Sequence, residues 1–403
     1  MTSEWHEVPL RELVGYISKG IAPSYAEEAS ETTIRVLNQK CNRNFRISYG
    51  DSRLHDTLKK KVPPERYVKP DDILINSTGA GTAGRIAQIE DVPSATTIDG
   101  HMILIRSNGK VTQKFLGYAL KAHQWEVLQL DEGSTGQTEL NRDRLLDEIM
   151  INYPVSFDEQ NAIVGTLESI DRKLIVNKEI NENLEQQLRS VFMELFSDKI
   201  ANVEANNHRP LGELVINIDN RGKTPPLETT PTEYPIIDVR ALSGTSRIVN
   251  YANCTKFVSA ETYSSWFRSG HPKPKDILVS TVGSLAEIKI FLGSKGCIAQ
   301  NVVGFRTKDI SPYYLYQYLT AIKNDLVAYN IGSVQPSIKV THIIKHPIYI
   351  PSTEELETFD ALAESATNAI YNNTLESERL AGIRDALIPK LMSGEIDLSE
   401  VQF

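Results

Sequence analysis

The chain has 403 residues, too many for one ordinary hydrophobic core, and this length predicts two or three domains. Its composition, 40% hydrophobic and 24% charged, is that of a folded protein, and no apolar run is long enough to cross a membrane or act as a secretory signal. We therefore expect a cytoplasmic protein without a membrane partner. Cys41, Cys254 and Cys297 lie far apart without metal-ligand spacing, so we expect reduced thiols and no metal site.

The formal net charge of -9 argues at first against binding to DNA, whose phosphates attract Lys and Arg. The charge is segregated, however. Residues 35–69 carry ten Lys or Arg against three Asp or Glu. Residues 157–196 carry four against eight, and residues 354–385 carry two against eight. The acidic residues are thus concentrated in two segments of helical pattern, and the regions between them remain compatible with nucleic acid.

The same motifs occur twice along the chain and in the same order, which indicates an internal repeat. Residues 9–13 (PLREL) return as residues 210–214 (PLGEL), residues 19–23 (KGIAP) as 221–225 (RGKTP), and residues 69–74 (KPDDIL) as 273–278 (KPKDIL). The last motif is followed each time by a Ser-Thr pair, Ser77 with Thr78 and Ser280 with Thr281. Further along, Gly133, Ser134 and Gln137 are matched by Gly332, Ser333 and Gln335.

Four regions follow in chain order. Residues 1–155 and 201–351 contain short apolar runs such as 73–75, 102–105 and 277–279, bounded by turn-forming residues, and we interpret them as two related globular domains of mixed α+β (α/β) type. Residues 156–200 and 352–403 each begin with a capping box, SFDE and STEE, and continue as a long helix.

The first long helix has a hydrophobic seam with four- and three-residue spacing, which is typical of a coiled coil. Its members are Ile163, Leu167, Ile170, Leu174, Asn177, Asn181, Leu184, Leu188, Val191 and Leu195. The second seam holds Phe359, Ala363, Ala366, Ile370, Asn373, Leu380 and Leu387, and is weakened by Ser377 and Arg384. A buried Asn in such a seam commonly fixes the register of paired helices, so we predict that Asn177 and Asn373 lie in the same region of one helix pair. Two separate amphipathic helices, each packed on its own domain, are the alternative.

An enzymatic interpretation rests on Asp276, Glu287 and Lys289, which provide the acidic pair and lysine of many metal-dependent nucleases. At an offset of 204, the first half has Asp72, Ala83 and Arg85, so only one carboxylate recurs. Three charged residues across a strand and turn are more often a solvated face. A metal-dependent DNA endonuclease therefore remains a minority alternative, and we expect no catalytic residue in this chain.

Taken together, the repeat, the paired helices and the ending LIPKLMSGEI at residues 387–396 resemble the specificity subunits of type I restriction-modification systems. The resemblance implies two target-recognition domains at opposite ends of an antiparallel helix pair, related by a pseudo-twofold axis. It implies that each domain recognises one half of a bipartite site in double-stranded DNA and that helix length sets the spacer.

The resemblance also implies protein partners: two methyltransferase subunits, and in some systems restriction subunits that translocate and cleave DNA. We expect no cofactor in this chain, with S-adenosylmethionine and ATP with magnesium on the partner subunits. A scaffold that binds protein alone through its coiled coil is the alternative of a different class.

Within each domain, basic side chains should contact phosphates, and polar side chains should recognise base edges. For the first domain, the candidate DNA-binding residues are Lys19, Arg35, Asn38, Lys40, Arg43, Ser77, Thr78, Gln137 and Thr138. For the second domain they are Arg221, Lys223, Thr224, Arg240, Ser280, Thr281, Gln335 and Ser337. Gln137 and Gln335 are the strongest pair because they recur in matching glycine-rich loops, although a simple turn would explain those loops equally well.

Overall fold

A computed structural model of the chain describes residues 4–79, 81–132, 138–203, 207–222 and 224–398. Packing divides the chain into two compact units, Met1–Leu174 with Arg379–Phe403, and Ile175–Glu378. Each unit contains one globular region and part of both long helices. The boundaries expected from the sequence, 1–155, 156–200, 201–351 and 352–403, follow the repeat instead of the packing, and they stay a prediction.

The first unit combines short strands with three short helices and the beginning of the first long helix. Its strands are β1 (Trp5–Pro9), β2 (Val14–Lys19), β3 (Tyr25–Ala26), β4 (Thr33–Leu37), β5 (Asn42–Arg43), β6 (Arg46–Ile47), β7 (Arg53–Asp56), β8 (Ile73–Asn76), β9 (Ile86–Gln88), β10 (Thr96–Ile98), β11 (Met102–Ser107), β12 (Asp131–Glu132), β13 (Glu139–Leu140) and β14 (Met150–Pro154). Its helices are α1 (Gln113–Ala122), α2 (Gln124–Val127), α3 (Arg142–Glu148) and α4 (Phe157–Ala201), the last of which continues into the second unit.

The central sheet of the first unit has the antiparallel order β2-β11-β8-β9 and is covered on both faces. Ile73 and Ile75 pack into the core that includes α1, whereas Leu74, between them, packs with Leu37 and Cys41 on the other face. Because successive side chains of a strand point to opposite faces, a strand covered on both sides is apolar throughout. This explains the continuous apolar run of β8. A second sheet, β10-β4-β7-β3, supplies the other covering layer.

Within the described residues, the second unit has fewer strands than the first. They are β15 (His208–Pro210), β16 (Val215–Ile218), β17 (Ile236–Ile237), β18 (Ile277–Ser280), β19 (Ile288–Ile290), β20 (Cys297–Ile298), β21 (Val302–Thr307) and β22 (Pro347–Tyr349). Its helices are α5 (Leu211–Leu214), α6 (Ala260–Ser265), α7 (Pro312–Ala321), α8 (Lys323–Ala328), α9 (Val340–Ile343) and α10 (Thr353–Met392), the last of which continues into the first unit.

The second unit repeats the central sheet of the first, in the order β16-β21-β18-β19. Ile277 and Val279 face the core that contains α7, and Leu278 faces the opposite core with Ile237. The mixed α+β class predicted from the repeat is therefore confirmed, with two globular regions of related construction, each followed by a long helix. In the described part of the chain, no helix is both long and apolar enough to cross a membrane.

Helices α4 and α10 pack antiparallel within each unit. In the second unit, Asn181 lies beside Asn373, while Lys199, further along α4, forms an ion pair with Glu355 near the start of α10. The capping box predicted for the second helix is present: Ser352 N–H donates to the Glu355 carboxylate (2.8 Å), and Glu355 N–H donates to Ser352 Oγ (3.4 Å). These contacts favour the paired helices over two unrelated amphipathic helices.

The structure brings Asn177 and Asn373 together, in the second unit. Asn177 is fully buried and its amide donates to the carboxylate of Glu376 (2.8 Å) and to Ser377 Oγ (3.2 Å). The amide of Asn373 donates to Asn181 Oδ1 (2.9 Å). Because a buried amide is costly without partners, this layer of polar side chains disfavours other registers of the pair. The register role of Asn177 and Asn373 itself stays a prediction.

The seam predicted for the C-terminal part of α4 is displaced in the structure. Phe192 and Phe196 are fully buried against the α7 aromatic ring of Tyr314, while the predicted seam residues Val191 and Leu195 are only partly buried. The reason is that this part of α4 packs on a globular region as well as on α10. A helix covered on two sides buries a wider stripe than a coiled-coil seam.

In each unit, a group of largely buried polar contacts helps to attach the globular region to the helices. In the first unit, Asp171 of α4 accepts hydrogen bonds from Arg384 of α10 (2.8 Å) and from the Tyr118 hydroxyl of α1 (2.8 Å). Burial alone would raise the pKa of Asp171, but the charge of Lys121 and these hydrogen bonds lower it below its usual value. The carboxylate is therefore charged, and Arg384, which weakened the predicted seam, is explained by this pairing.

In the second unit the corresponding role is taken by Arg247, which is 1% exposed. Its guanidinium donates to both carboxylate oxygens of Glu185 on α4 (3.0 and 2.8 Å) and to Thr367 Oγ1 on α10 (2.7 Å). It also lies over the ring of Tyr316. One side chain of the globular region thus contacts both helices of its unit.

Candidate nucleic-acid interface

In the first unit, the residues that follow β8 are bound to the segment around β13. Gly79 N–H donates to the carbonyl of Thr138 (3.2 Å), and Leu140 N–H donates to the carbonyl of Ser77 (2.7 Å). A bridge also joins Thr78 and Glu139. The end of the buried strand is therefore continued as a short ladder that supports the predicted recognition loop.

The second unit contains the same ladder. Gly283 N–H donates to the carbonyl of Pro336 (3.1 Å), Ile338 N–H donates to the carbonyl of Thr281 (2.8 Å), and a bridge joins Val282 and Ser337. Backbone hydrogen bonding therefore makes Thr281 the counterpart of Ser77. The correspondence of Ser77 with Ser280, expected from the two Ser-Thr pairs, was therefore wrong by one residue. It was based on side-chain identity, whereas the strand register determines which residues occupy equivalent positions.

Three of the candidate hydroxyls are inside the units and not on the surface. Ser77, Ser280 and Thr281 are buried to 0–1% exposure. Ser280 Oγ donates to the carbonyl of Ser284 (2.5 Å), so it closes a turn. The expectation that these three side chains contact DNA is corrected accordingly, since a fully buried hydroxyl cannot reach a base edge. Their position at the end of a strand covered on both faces is the reason.

Around Thr78, side chains from five segments of the first unit converge. Thr78 Oγ1 lies 2.9 Å from Nδ1 of His101 and accepts a hydrogen bond from the amide of Gln39. Lys19, at the end of β2, forms an ion pair with Glu139. The structure thus brings the candidates Lys19 and Thr78 to one partly exposed polar cluster, which also includes a carboxylate that DNA phosphates would disfavour.

The basic candidates of the first unit lie along β4 and the turn after it. Arg35 is exposed and donates to Ser52 Oγ (2.9 Å). Asn38 shapes the turn, since its Oδ1 accepts from Lys40 N–H (2.9 Å) and its amide donates to the carbonyl of Asp51 (2.7 Å). Lys40 and Arg43 are exposed at this turn. The two charges are therefore available to a phosphate, while Asn38 is committed to holding the turn.

The arginine candidates of the second unit are engaged with carboxylates. Arg221 donates to both oxygens of Asp219 (2.5–3.0 Å), and Arg240 donates to Asp238 (2.9 Å) and to Thr255 Oγ1 (2.7 Å). Burial would raise the pKa of Asp219, but Arg221 lowers it below its usual value. A phosphate would have to compete with these carboxylates for the arginines. Thr224 is exposed and accepts from the amide of Gln300 (3.1 Å).

Gln335 and Ser337 lie in the loop of the second-unit ladder. The Gln335 side chain is exposed. Ser337 is part of the ladder, and its N–H donates to Asn330 Oδ1 (3.0 Å). In the first unit, Gln137 lies outside the described residues, as Lys223 does in the second. Thr138, next to Gln137, is partly buried, and its Oγ1 lacks a hydrogen-bond partner among the described residues.

The residues behind the nuclease interpretation have structural partners. The carboxylate of Asp276 accepts from Arg306 (3.0 and 2.7 Å), as that of Asp72 accepts from Arg106 (2.7 and 2.7 Å) in the first unit. Lys289 is buried and donates to the carbonyls of residues 244 and 246; burial lowers the pKa of Lys289 to about 8. The view of these residues as a solvated face was wrong, because Asp276 and Lys289 are both buried.

No group of three or more His, Cys, Asp or Glu side chains within the described ranges is arranged to hold a metal ion. All three cysteines are free and buried, and burial raises the pKa of the Cys297 thiol to about 12. A thiol of this kind is neutral at ordinary pH and therefore a poor nucleophile.

Comparison with known proteins decides the family. The family model described as the type I restriction modification DNA specificity domain matches residues 2–186 and again residues 205–376. The two matches cover most of the chain. The chain belongs to the type I restriction-modification DNA specificity family. Each match contains one globular region with the strand-end ladder described above.

Individual members of the specificity family resemble the chain over most of its length. The specificity subunit of the type I restriction enzyme MjaIX, from Methanocaldococcus jannaschii, is 25% identical over 375 residues, which are 88% of this chain and 84% of the relative. Among solved structures, the S subunit of a type I restriction-modification system from M. genitalium covers 97% of this chain and 96% of its own, with 15% identity and a TM-score of 0.59. At this identity the structural likeness supports the fold alone.

Several residues of this candidate interface were missed by the sequence analysis. Gln39, His101 and Glu139 surround Thr78. In the second unit, Asn301 occupies the place of His101. The Asn301 carbonyl accepts a hydrogen bond from Thr281 N–H (2.8 Å), as the His101 carbonyl does from Ser77 N–H (2.8 Å). The two segments share no sequence motif, because His101 in one corresponds to Asn301 in the other. A repeat alignment based on strand pattern would have found the position.

Proposed function

We propose that this chain is the sequence-specific DNA-binding specificity subunit of a type I restriction-modification complex, in which each compact unit recognises one half of a bipartite site. The observation that carries the proposal is the ladder built twice: Ser77–Gly79 with Thr138–Leu140, and Thr281–Gly283 with Pro336–Ile338. Two copies of one construction suit a DNA site with two short half-sites, as dimeric DNA-binding proteins do with symmetric half-sites.

In this proposal the exposed cations position each unit on the DNA backbone, and the ladder loops supply the polar groups for base edges. Lys40 and Arg43 are the phosphate contacts of the first unit. Arg221 and Arg240 exchange their carboxylate partners for phosphate or guanine in the second unit. Gln335 is suited to adenine, since a side-chain amide can both accept from N6 and donate to N7 in the major groove.

The helix pair has two roles in the proposal. Its length sets the unrecognised spacer between the half-sites, and its acidic faces dock two methyltransferase subunits, with restriction subunits as a further partner class. S-adenosylmethionine, and ATP with magnesium, belong to those partners, so we assign no catalytic step and no cofactor to this chain. The complex acts in the cytoplasm, where the host DNA is. Support comes from the concentration of Asp and Glu on both helices.

The deciding experiment is genome-wide mapping of N6-methyladenine in the host, with and without this gene. We expect methylation at one bipartite motif to disappear in the deletion strain and to return on complementation. An unchanged methylation pattern, with the partner methyltransferase expressed, would reject the proposal. It would favour a protein-binding scaffold if DNA binding by the purified chain also lacks the steep salt dependence of phosphate contacts.

The spacing role leads to a prediction about helix length. Four residues inserted after Leu174 and four after Glu378, where packing divides the helices, add about 6 Å and turn each helix about 40° beyond a full turn. One DNA base pair adds about 3.4 Å and roughly 35°. We expect the spacer of the methylated motif to lengthen by one or two base pairs, with both half-sites unchanged.

Methylation mapping of the insertion variant measures this change directly. The matched control carries the insertion after Leu174 only, which lengthens α4 but not α10 between the Asp171–Arg384 pair and the Asn177 layer, so that the two helices cannot keep both pairings in register. That control should abolish methylation altogether. Altered half-sites, or an unaltered spacer in the double insertion, would contradict the division of roles between units and helices.

A further inference from the structure

The recognition loop of the second unit, residues 330–338, is closed and internally bonded. A bridge joins Asn330 to Ile338 at its base. Asn330 Oδ1 accepts from the N–H groups of Gly332 and Ser337 (3.0 Å each). A Cβ on residue 332 would lie 1.9 Å from the carbonyl oxygen of Gln335, so the turn requires glycine there. The base of the loop is therefore held by its own hydrogen bonds, and the close approach of Gly332 to Gln335 narrows its tip.

The tip of this loop presents an aliphatic side chain to solvent. Val334 is 97% exposed, and Ile331, on the same loop, is 52% exposed. Val334 stands between two exposed polar side chains, Ser333 and Gln335. Single exposed apolar residues are common on protein surfaces, so exposure alone decides nothing. The position of Val334 is informative, because this aliphatic group lies next to the Gln335 amide that the proposed function places in the major groove.

We propose that Val334 contacts the 5-methyl group of a thymine, so that the loop of the second unit recognises an A·T base pair through Val334 and Gln335 together. This inference rests on the proposed function and adds the chemistry that one half-site must contain. Thymine is distinguished in the major groove by its methyl group, and adenine by N6 and N7.

The spacing of the two side chains fits this assignment. Neighbouring Cα atoms are about 3.8 Å apart, close to the rise of about 3.4 Å between successive bases of a strand. Val334 and Gln335 can therefore contact neighbouring bases in the major groove. In the first unit, the residue that precedes Gln137 is Gly136, which has no side chain to offer a methyl group. The methyl contact made by Val334 is thus expected only in the half-site that the second unit recognises.

The test is binding of the methyltransferase complex that contains this chain to duplexes carrying its mapped motif, measured by fluorescence anisotropy. Thymines are replaced by uracil, one half-site at a time and then singly, which removes only the methyl group. For the wild type we expect one uracil, in one half-site, to weaken binding about fourfold, the value for one buried methyl group. For Val334→Ala we expect weaker binding to the thymine duplex and no further loss with that uracil.

A matched control is Leu58→Ala, which removes an exposed aliphatic side chain (79% exposed) from the first unit and should leave the uracil effect of the wild type unchanged. If the wild type binds its motif specifically but Val334→Ala retains the full loss with uracil, the inference is overturned while the proposed function stands. If the wild type does not prefer its motif over a scrambled duplex, the proposed function itself fails, and the inference with it.

Discussion

Replacing Arg247 by Met is expected to lower the free energy of unfolding of the second unit by about 3–5 kcal/mol, the usual cost of breaking a buried ion pair. The substitution removes a guanidinium that is 1% exposed and leaves the carboxylate of Glu185 without its cation. Thr367 Oγ1 also loses the hydrogen bond that links it to the globular region (2.7 Å). Because Met has a similar volume, the loss is of charge and hydrogen bonding and not of packing.

Native-state hydrogen exchange of the β18 and β21 amides measures this loss locally, without assuming that the two units unfold together. The matched control is Lys275→Met. Lys275 also pairs with a glutamate of α10, Glu364 (2.9 Å), but the two side chains are 49% and 50% exposed. Its loss should cost less than about 1 kcal/mol, as for other surface pairs. Equal protection in the Arg247 and Lys275 variants would show that burial of the Arg247 contacts is not stabilising.

The second large effect is expected from the aspartate that recurs in both units. Asp72→Asn and Asp276→Asn should each destabilise their own unit by about 3 kcal/mol, because each leaves a partly buried arginine without its charged partner. The two sites are alike: Asp72 accepts from Arg106 and from Lys69 N–H (2.7 Å), and Asp276 accepts from Arg306 and from Lys273 N–H (2.7 Å). Similar costs in the two units are therefore expected.

Urea-induced unfolding, monitored by amide hydrogen exchange in β8 and in β18, measures the stability of each unit separately. The control is Asp309→Asn, at an exposed carboxylate of the second unit.

The experiment also bears on the nuclease alternative. A carboxylate that holds magnesium can become an amide without loss of stability, since no ion pair is broken. If Asp276→Asn remained fully stable and abolished a DNA-cleaving activity, the structural role assigned to Asp276 would be wrong.

Much of the fold could be predicted because its signals are local. The run of Ile73, Leu74 and Ile75 predicts a buried strand, and the capping box at Ser352 predicts where a helix begins. The repeat predicts two related units because both copies keep the same turn-forming and apolar residues in the same order. Each of these signals lies within a few residues of the element it describes.

The candidate interface was predicted less well, because exposure depends on what covers each side chain. From the sequence alone, the strands that precede Ser77 and Thr281 cannot be told from strands at an exposed sheet edge. In the structure, a ladder and a second layer bury both side chains. Arg35, Lys40 and Arg43, predicted on charge alone, do lie at the surface. The candidate arginines of the second unit, Arg221 and Arg240, are also exposed, yet the neighbouring carboxylates of Asp219 and Asp238 hold them in place.

By itself, the sequence determined the two related units, the two long helices, the polar layer that includes Asn177 and Asn373, and the resemblance to the specificity family. Only the tertiary structure decided which candidates face solvent, the true register of the repeat, and the partners of Arg247 and Asp171. Their charged partners, Glu185 and Arg384, are 62 and 213 residues away in the chain. Periodicity and capping act between neighbours in sequence, whereas burial and charge pairing depend on segments that meet only when the chain is folded.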